Sequence, residues 1–424
     1  MKKKIIRACT VSLSVGFVAG MLPDLMKKYE VVLLTSPGPE MGDAREKYGV
    51  RTIEVLMERH ISLMRDMVSL WRIIKVFWKE RPDMVHSMTP KAGLLCMVAG
   101  WLARVPVRVH TFTGLVFPTA TGLQRRILMA TDALTCFCAT HVIPEGEGVK
   151  SDLLNNGITK KPLKVLGYGN VMGIDMKRFD PNRFNGNGNV NGNVNGNGNG
   201  NDNETLRYEN ENGNGNETFD FLFVGRIVRD KGMNELMAAF DMLSKKYPQA
   251  RLVLVGPYED SLDPVSDETR RIIKDNPAIE AVGTKRGDDL LAYYAAADCF
   301  VFPSYREGFP NTVIEAGAMG LPCIVTDING SREIIVNGNG NVNGNGTLRY
   351  ENVSGSVVVK DNGLIIPSKD AEALYEAMEI MMTDEEMRQR MASRARQMIA
   401  DRFEQGFVRR CLYEFYDEII ERER

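Results

Sequence analysis

Paired cysteines, clustered histidines and long apolar runs are what this chain lacks. Its seven cysteines (Cys9, Cys96, Cys136, Cys138, Cys299, Cys323, Cys411) lie scattered through apolar stretches. None has C-x-x-C spacing or a histidine close by, which speaks against both a disulfide framework and a zinc site and fits a reducing cytoplasm. Only four histidines are present in all. No stretch is long and apolar enough to span a bilayer. The N-terminus, MKKKIIRACTVSLSVGFVAGML, begins basic and turns apolar as a signal peptide does. Arg7 interrupts that run, Thr10, Ser12 and Ser14 thin it, and no A-x-A-like site follows. The expectation is a first strand, Ile5 to Val11, then a loop containing Gly16 and Gly20, then a helix.

What is present is an ordinary mixture: 424 residues, 44% hydrophobic and 25% charged, enough for two cores. The net charge of −2 conceals an asymmetry. Residues 1 to 184 hold 27 Lys and Arg against 16 Asp and Glu, a net of +11; the remainder carries −13. A basic half invites an anionic surface. Nucleic acid is not the expected partner, because there is no nucleic-acid motif and no interleaving of aromatic and basic residues across a sheet. A membrane face or a phosphate-bearing acceptor fits better.

From residue 1 to about 180, short apolar runs alternate with helical patterns. Strands are expected at Ile5 to Val11, Val31 to Thr35, Thr52 to Leu56, Met84 to Ser87, Val107 to Thr111 and His141 to Ile143. Helices are expected at Ile61 to Glu80, Lys91 to Leu102 and Leu123 to Phe137. Such alternation implies a parallel sheet covered on both faces, with ligands beyond the carboxyl ends of its strands. His86 and His110 stand at two such ends, open to either a structural or a ligand-facing role. The helix through Arg65 to Arg81 mixes Val68, Trp71, Ile74, Phe77 and Trp78 with Arg72, Lys75 and Lys79. It suits either sheet packing with a basic outer face or a membrane surface.

Two tracts of Asn and Gly, 185–216 and 337–357, cannot bury a core and are expected to be flexible insertions. Each contains TLRYEN, at Thr205 to Asn210 and at Thr347 to Asn352. They divide the chain into a first domain (1–184), a linker insertion (185–216), a second domain (217–402, interrupted at 337–357) and a final helix (403–424) that crosses back to the first domain.

The second domain opens with FDFLFVGRIVRDKG. Its strand, Phe219 to Val224, ends at Gly225 and is followed by Arg226 and Lys231. A lysine near a helix N-terminus is electrostatically misplaced unless an anion is bound there. Three more strands follow, Leu252 to Val255, Ile279 to Val282 and Cys299 to Phe302. The last runs into SYREGFPNTVIEAGAMGLPCIVTD, in which a buried helix opens at Pro310 and ends at Gly320. Glu307 stands before that helix and Glu315 inside it. Two acids flanking free backbone amides point to a polyol phosphate.

PDMVHSMTPKAGLL, VRVHTFTGL, FLFVGRIVRDKG and the E-x7-E segment, with GIDMKRF (173–179) and NGLIIP (362–367), together resemble the retaining glycosyltransferases of family four. The likeness is to the capsule, lipopolysaccharide and lipid-linked-oligosaccharide branch. It implies a GT-B α/β fold, two Rossmann-like domains with parallel sheets facing across a cleft. It further implies transfer of a hexosyl or N-acetylhexosaminyl group from a nucleotide-sugar donor, UDP-linked by expectation, to a saccharide acceptor, lipid-linked by expectation. The enzyme would lie in the cytoplasm, peripheral on the inner membrane face, where its basic first domain would meet anionic lipid. Residue by residue, the resemblance makes Arg226 and Lys231 the pair holding the donor diphosphate, Glu315 the ribose ligand and Glu307 the sugar ligand. The backbone of Gly225 and the run Gly308, Phe309, Pro310, Asn311 and Thr312 lie beside phosphate and sugar. His110 is placed near the reacting face of the sugar, so the catalytic set is His110, Arg226, Lys231 and Glu307. Gly20 and His86 are on the acceptor side.

Departures from the family pattern are plain. VGFVAG lacks an adjacent glycine pair, Pro144 stands where relatives carry serine, and the second tract adjoins the active-site loop. No D-x-D motif sits at a strand end, so no metal and no cofactor is expected, the nucleotide sugar being a substrate. The competing readings are a nucleotide-sugar epimerase on a similar scaffold and a non-catalytic nucleotide-sugar-binding relic.

Overall fold

A computed structural model describes residues 2–58, 62–184, 218–260, 263–337, 351–354 and 356–422. The first tract, and residues 338–350 of the second, lie outside the described residues. The chain divides into two compact units: 1–173 with 307–309 and 402–424, and 174–306 with 310–401.

The first unit is built on six parallel strands, β1 (Lys4–Ala8), β2 (Glu30–Thr35), β3 (Arg51–Glu54), β4 (Met84–Met88), β5 (Val107–Phe112) and β6 (His141–Pro144), in the order 3-2-1-4-5-6. These strands read as nearly continuous apolar runs because helices cover both faces of the sheet. On one face, Ile6, Val32, Leu34 and Val85 pack with Ile73 and Phe77 of the helix Leu63–Glu80 and Leu95 and Cys96 of the helix Pro90–Leu102. On the other, Ile5, Val31, Leu33 and Val109 pack with Leu412, Phe415, Tyr416 and Ile419. Those last four belong to the final helix, Gln405–Arg422. The C-terminal segment thereby becomes part of the core of the N-terminal sheet.

β1 is shorter than expected, ending at Ala8, and the expected glycine loop is helical instead. Ser12–Val15 forms a 3-10 turn and Gly16–Ala19 a single helical turn, with Gly20 in right-handed geometry at its end. Successive apolar residues explain the difference: Val15, Val18, Met21 and Leu22 are all buried, and only helical spacing turns them to one side.

The second unit carries β7 (Phe219–Val224), β8 (Ala250–Val255), β9 (Ile279–Gly283), β10 (Cys299–Phe302), β11 (Cys323–Thr326), β12 (Glu351–Ser354), β13 (Val357–Lys360) and β14 (Gly363–Ile366), in the order 12-13-14-11-10-7-8-9. Strands 14-11-10-7-8-9 are parallel and repeat the doubly wound order of the first unit. The sheet is not parallel throughout: β12, β13 and β14 are antiparallel. Only Asp361 and Asn362 separate β13 from β14, and so short a turn joins antiparallel strands only. The end of the second Asn/Gly tract, expected to be flexible, therefore supplies the edge strand β12.

In both sheets the strand order reverses between two central strands, β1 and β4 in the first, β7 and β10 in the second. Crevices beyond the carboxyl ends at such reversals are where doubly wound sheets bind ligands.

Candidate active site

In the second unit, the expected donor residues gather beyond β7 and β10. Gly225 and Arg226 leave the end of β7, and Arg229–Lys231 form one 3-10 turn before the helix Met233–Lys246. Gly232 links the two at φ +73°, and a Cβ there would overlap the carbonyl oxygen of Pro303. Only glycine lets the loop after β7 lie this close to the loop after β10. The two loops are then tied: Tyr305 N donates to Asp230 O at 2.8 Å, and Arg306 pairs with Asp230 at 3.0 Å. Lys231 Nζ lies 5.3 Å from the centre of the Phe302 ring, within reach of a cation–π contact. Arg226 forms an ion pair with Glu259 beyond β8.

The helix Asn311–Ala318 follows with Pro310 as its N-cap. It buries Val313, Ile314, Ala316, Gly317 and Ala318, as its small-residue sequence demands. Glu315, on the same helix, accepts a hydrogen bond from Tyr294 Oη at 3.0 Å. Burial pushes the Glu315 carboxyl up to about 7, opposed by the Tyr294 hydrogen bond and, more weakly, by Arg178. Such a carboxyl is held short of full ionisation at neutral pH.

Glu307, Gly308 and Phe309 group with the first unit. Gly308 packs against the backbone of Thr113 and Gly114, where a Cβ would overlap the Thr113 carbonyl. In that unit His110 is fully enclosed, its Nδ1 2.9 Å from Ser87 Oγ and its ring edge-on to Phe112. Burial pulls its pKa down to about 3, so the ring is neutral at physiological pH. His86 is enclosed as well. Arg7 donates to its Nδ1 at 2.9 Å, Tyr416 Oη lies 2.5 Å from the same nitrogen, and Nε2 lies 2.7 Å from Thr111 Oγ1. Because arginine only donates, Nδ1 accepts and Nε2 carries the proton. Burial first, then Arg7 and His110, hold His86 well below the usual histidine range. Both nitrogens of His86 are thus spent on protein partners. Gly20 sits at the end of its helical turn, beside the guanidinium of Arg409 from the final helix.

Three features went unread in the sequence. Tyr294, partner of Glu315, sits in a helix (Gly287–Ala296) whose alanines and tyrosines carry no motif. Asp230 ties the loops through a backbone carbonyl and a carboxylate, invisible without the fold. Thr89 lies just beyond β4 at φ +72°, costly for a β-branched residue, and its Oγ1 is 2.7 Å from Thr10 Oγ1 beyond β1. The T-P-K-A-G wording was the available signal.

The paired doubly wound sheets are those of a GT-B glycosyltransferase. The structure of HepE from Anabaena in complex with UDP superposes with a TM-score of 0.71 at 15% identity, over 99% of this chain and all of HepE. Two family descriptions match in sequence: glycosyl transferase 4-like domain over residues 21–169 and glycosyl transferases group 1 over 205–398. The chain belongs to this glycosyltransferase family. It is 28% identical to the capsular polysaccharide biosynthesis glycosyltransferase CapM of Staphylococcus aureus, over 99% of this chain and 98% of CapM. Over 285 residues, 66% of each chain, it is also 28% identical to the UDP-Gal:alpha-D-GlcNAc-diphosphoundecaprenol alpha-1,3-galactosyltransferase of Escherichia coli.

Proposed function

We propose that this glycosyltransferase moves a hexosyl or N-acetylhexosaminyl group from a UDP-sugar to a lipid-linked saccharide in surface polysaccharide biosynthesis, with retention of anomeric configuration and without a metal. The carrying observation is the placement of Arg226 and Lys231 beyond β7, beside the loop and helix that follow β10, at the strand reversal of the second sheet. In this reading the two cations take the donor diphosphate and stabilise the charge that grows on it as the glycosidic bond breaks. Glu315 takes the ribose hydroxyls, Glu307 the sugar hydroxyls, and the Gly308–Thr312 backbone the phosphate and sugar. His110, neutral, contributes polarity rather than charge near the sugar.

The E. coli relative supports a lipid-linked acceptor, and HepE, solved with UDP and with UDP-glucose, supports a uridine donor. Comparing lipid-linked saccharides by mass spectrometry from cells with and without the protein identifies sugar and acceptor. Proton NMR of the product's anomeric signal reads the stereochemistry, an inverted product refuting retention. An epimerase would interconvert the nucleotide sugar and release no UDP. A non-catalytic relic would bind UDP while Glu307→Gln altered no cellular glycan.

A further inference from the structure

Tyr294 is among the largest side chains that the fold encloses completely. It stands on the helix Gly287–Ala296, one turn after Leu291, which is enclosed as well. A tyrosine sealed from water needs a partner for its hydroxyl. Two acceptors are within reach, the Thr312 carbonyl at 3.5 Å and Glu315 Oε2 at 3.0 Å, and the single Oη proton goes to the nearer. Because a backbone carbonyl already stands by, the need of the tyrosine does not explain a carboxyl group set among alanines and glycine, where it is costly to bury. The tyrosine serves the glutamate rather than the reverse.

The two oxygens of Glu315 differ. Oε2 is held by Tyr294, whereas Oε1 has no hydrogen-bond partner among the described residues and is not sealed from solvent, Glu315 itself being only partly buried. A glutamate side chain turns about several bonds, and a hydrogen bond from an immobile ring removes much of that freedom. Pinning one oxygen thus sets the direction of the other.

That ring is itself part of a file. Its centre lies 5.8 Å from that of Phe300; Phe300 stacks on Phe302 at 6.0 Å; and Lys231 Nζ is 5.3 Å from the centre of Phe302. Phe300 and Phe302 alternate along β10 and so share one side of it. Close-packed rings move little against one another. Within the second unit, Glu315 and Lys231 are referenced to the same buried aromatic file.

We infer that Tyr294 is a positioning residue that makes this site selective for ribonucleotides: by holding Oε2 of Glu315 it presents Oε1 to a ribose hydroxyl. The inference rests on the reading of Glu315 as the ribose ligand and adds the group that gives this ligand its direction. A site built to hydrogen-bond a hydroxyl rejects the analogue lacking it, because its own polar group is then left unpaired. Rejection is as strong as that group is firmly aimed.

Calorimetry with UDP, 2′-deoxy-UDP and 3′-deoxy-UDP tests this on the full chain, as wild type, Tyr294→Phe, Glu315→Gln and the double variant. Phenylalanine keeps the ring against Phe300 and removes only the donor. Wild type should bind UDP about 10- to 100-fold more tightly than at least one of the deoxy forms. Tyr294→Phe should shrink that preference at least about fivefold, mostly by weakening UDP, and should change it no further in the Glu315→Gln background, where it is already lost. Equal weakening of all three ligands by Tyr294→Phe would reveal a merely structural hydroxyl and overturn the inference. So would a preference left at the wild-type value. In both cases, loss of the preference in Glu315→Gln would leave the ribose reading of Glu315 standing. Equal binding of the three ligands by the wild type would instead remove Glu315 from the ribose and take the inference with it.

Discussion

Tyr294 Oη donates to Glu315 Oε2 at 3.0 Å, and this one hydrogen bond opposes the burial that lifts the Glu315 carboxyl to about 7. The folded protein therefore binds a proton at Glu315 that the unfolded chain, with an ordinary value of 4.5, releases earlier. Stability must fall as pH rises from about 4.5 through 7, since the native state holds the extra proton in that window. Glu315→Gln should remove this slope in urea unfolding series across the window and leave the free protein more stable than wild type at pH 8. The same substitution should weaken UDP binding about 10- to 100-fold, the cost of a lost charged hydrogen bond. Equal UDP affinity in calorimetry would remove Glu315 from the donor site.

The buried histidines work in the opposite sense. His110 is lowered to about 3, so between an ordinary value of 6.5 and 3 the unfolded chain binds a proton that the folded chain refuses. Stability is present above about 6.5 and is lost as pH falls through that window. His110→Asn should flatten the acid limb of the unfolding profile. No ionisation of His110 should appear near pH 6.5 in the kcat profile; an NMR titration of its ring in that range would contradict the burial.

The final helix is expected to be indispensable to the first unit. Phe415 is 5% exposed and Tyr416 fully enclosed, the latter bonded to Arg7 and His86. Phe415→Ala should cost about 3–5 kcal/mol in denaturant unfolding. Removing residues 403–424 should leave insoluble protein. A soluble truncation with an unchanged midpoint would refute the shared core.

Gly232→Ala introduces a methyl group where the Pro303 carbonyl stands, at a left-handed φ of +73°. The loops after β7 and β10 must then separate. UDP affinity should drop at least about tenfold, roughly 1.4 kcal/mol, while far-ultraviolet circular dichroism is retained. Unchanged affinity would show that the spacing of these loops does not matter to the donor.

Strands were legible where apolar runs are bounded by polar turns. Phe219–Val224 and Cys299–Phe302 end where the sequence says they should, and the helix after Pro310 starts within a residue of expectation. Gly16 and Gly20 misled because a glycine can sit in a helical turn when its neighbours Val15, Val18 and Leu22 need burial there. The antiparallel edge was hidden by composition, since Glu351–Ser354 owes its strand to pairing with β13 rather than to its own propensity. Arg226, Lys231 and Glu315 stood out as candidates in the sequence because their local context was anomalous: cations before a helix, a carboxylate among alanines. Tyr294, Asp230 and Arg7 are ordinary residues in sequence, and only long-range packing gives them partners.

Lys231 carries the central claim, that fixed cations beyond β7 receive a sugar donor's diphosphate. The direct measurement is UDP release by purified protein with a UDP-sugar and acceptor, wild type against Lys231→Ala. Loss of about 10²–10³-fold in turnover, with unfolding midpoint unchanged, is the expected result. Turnover near that of the wild type would contradict the assignment of the site and, with it, the mechanism proposed here.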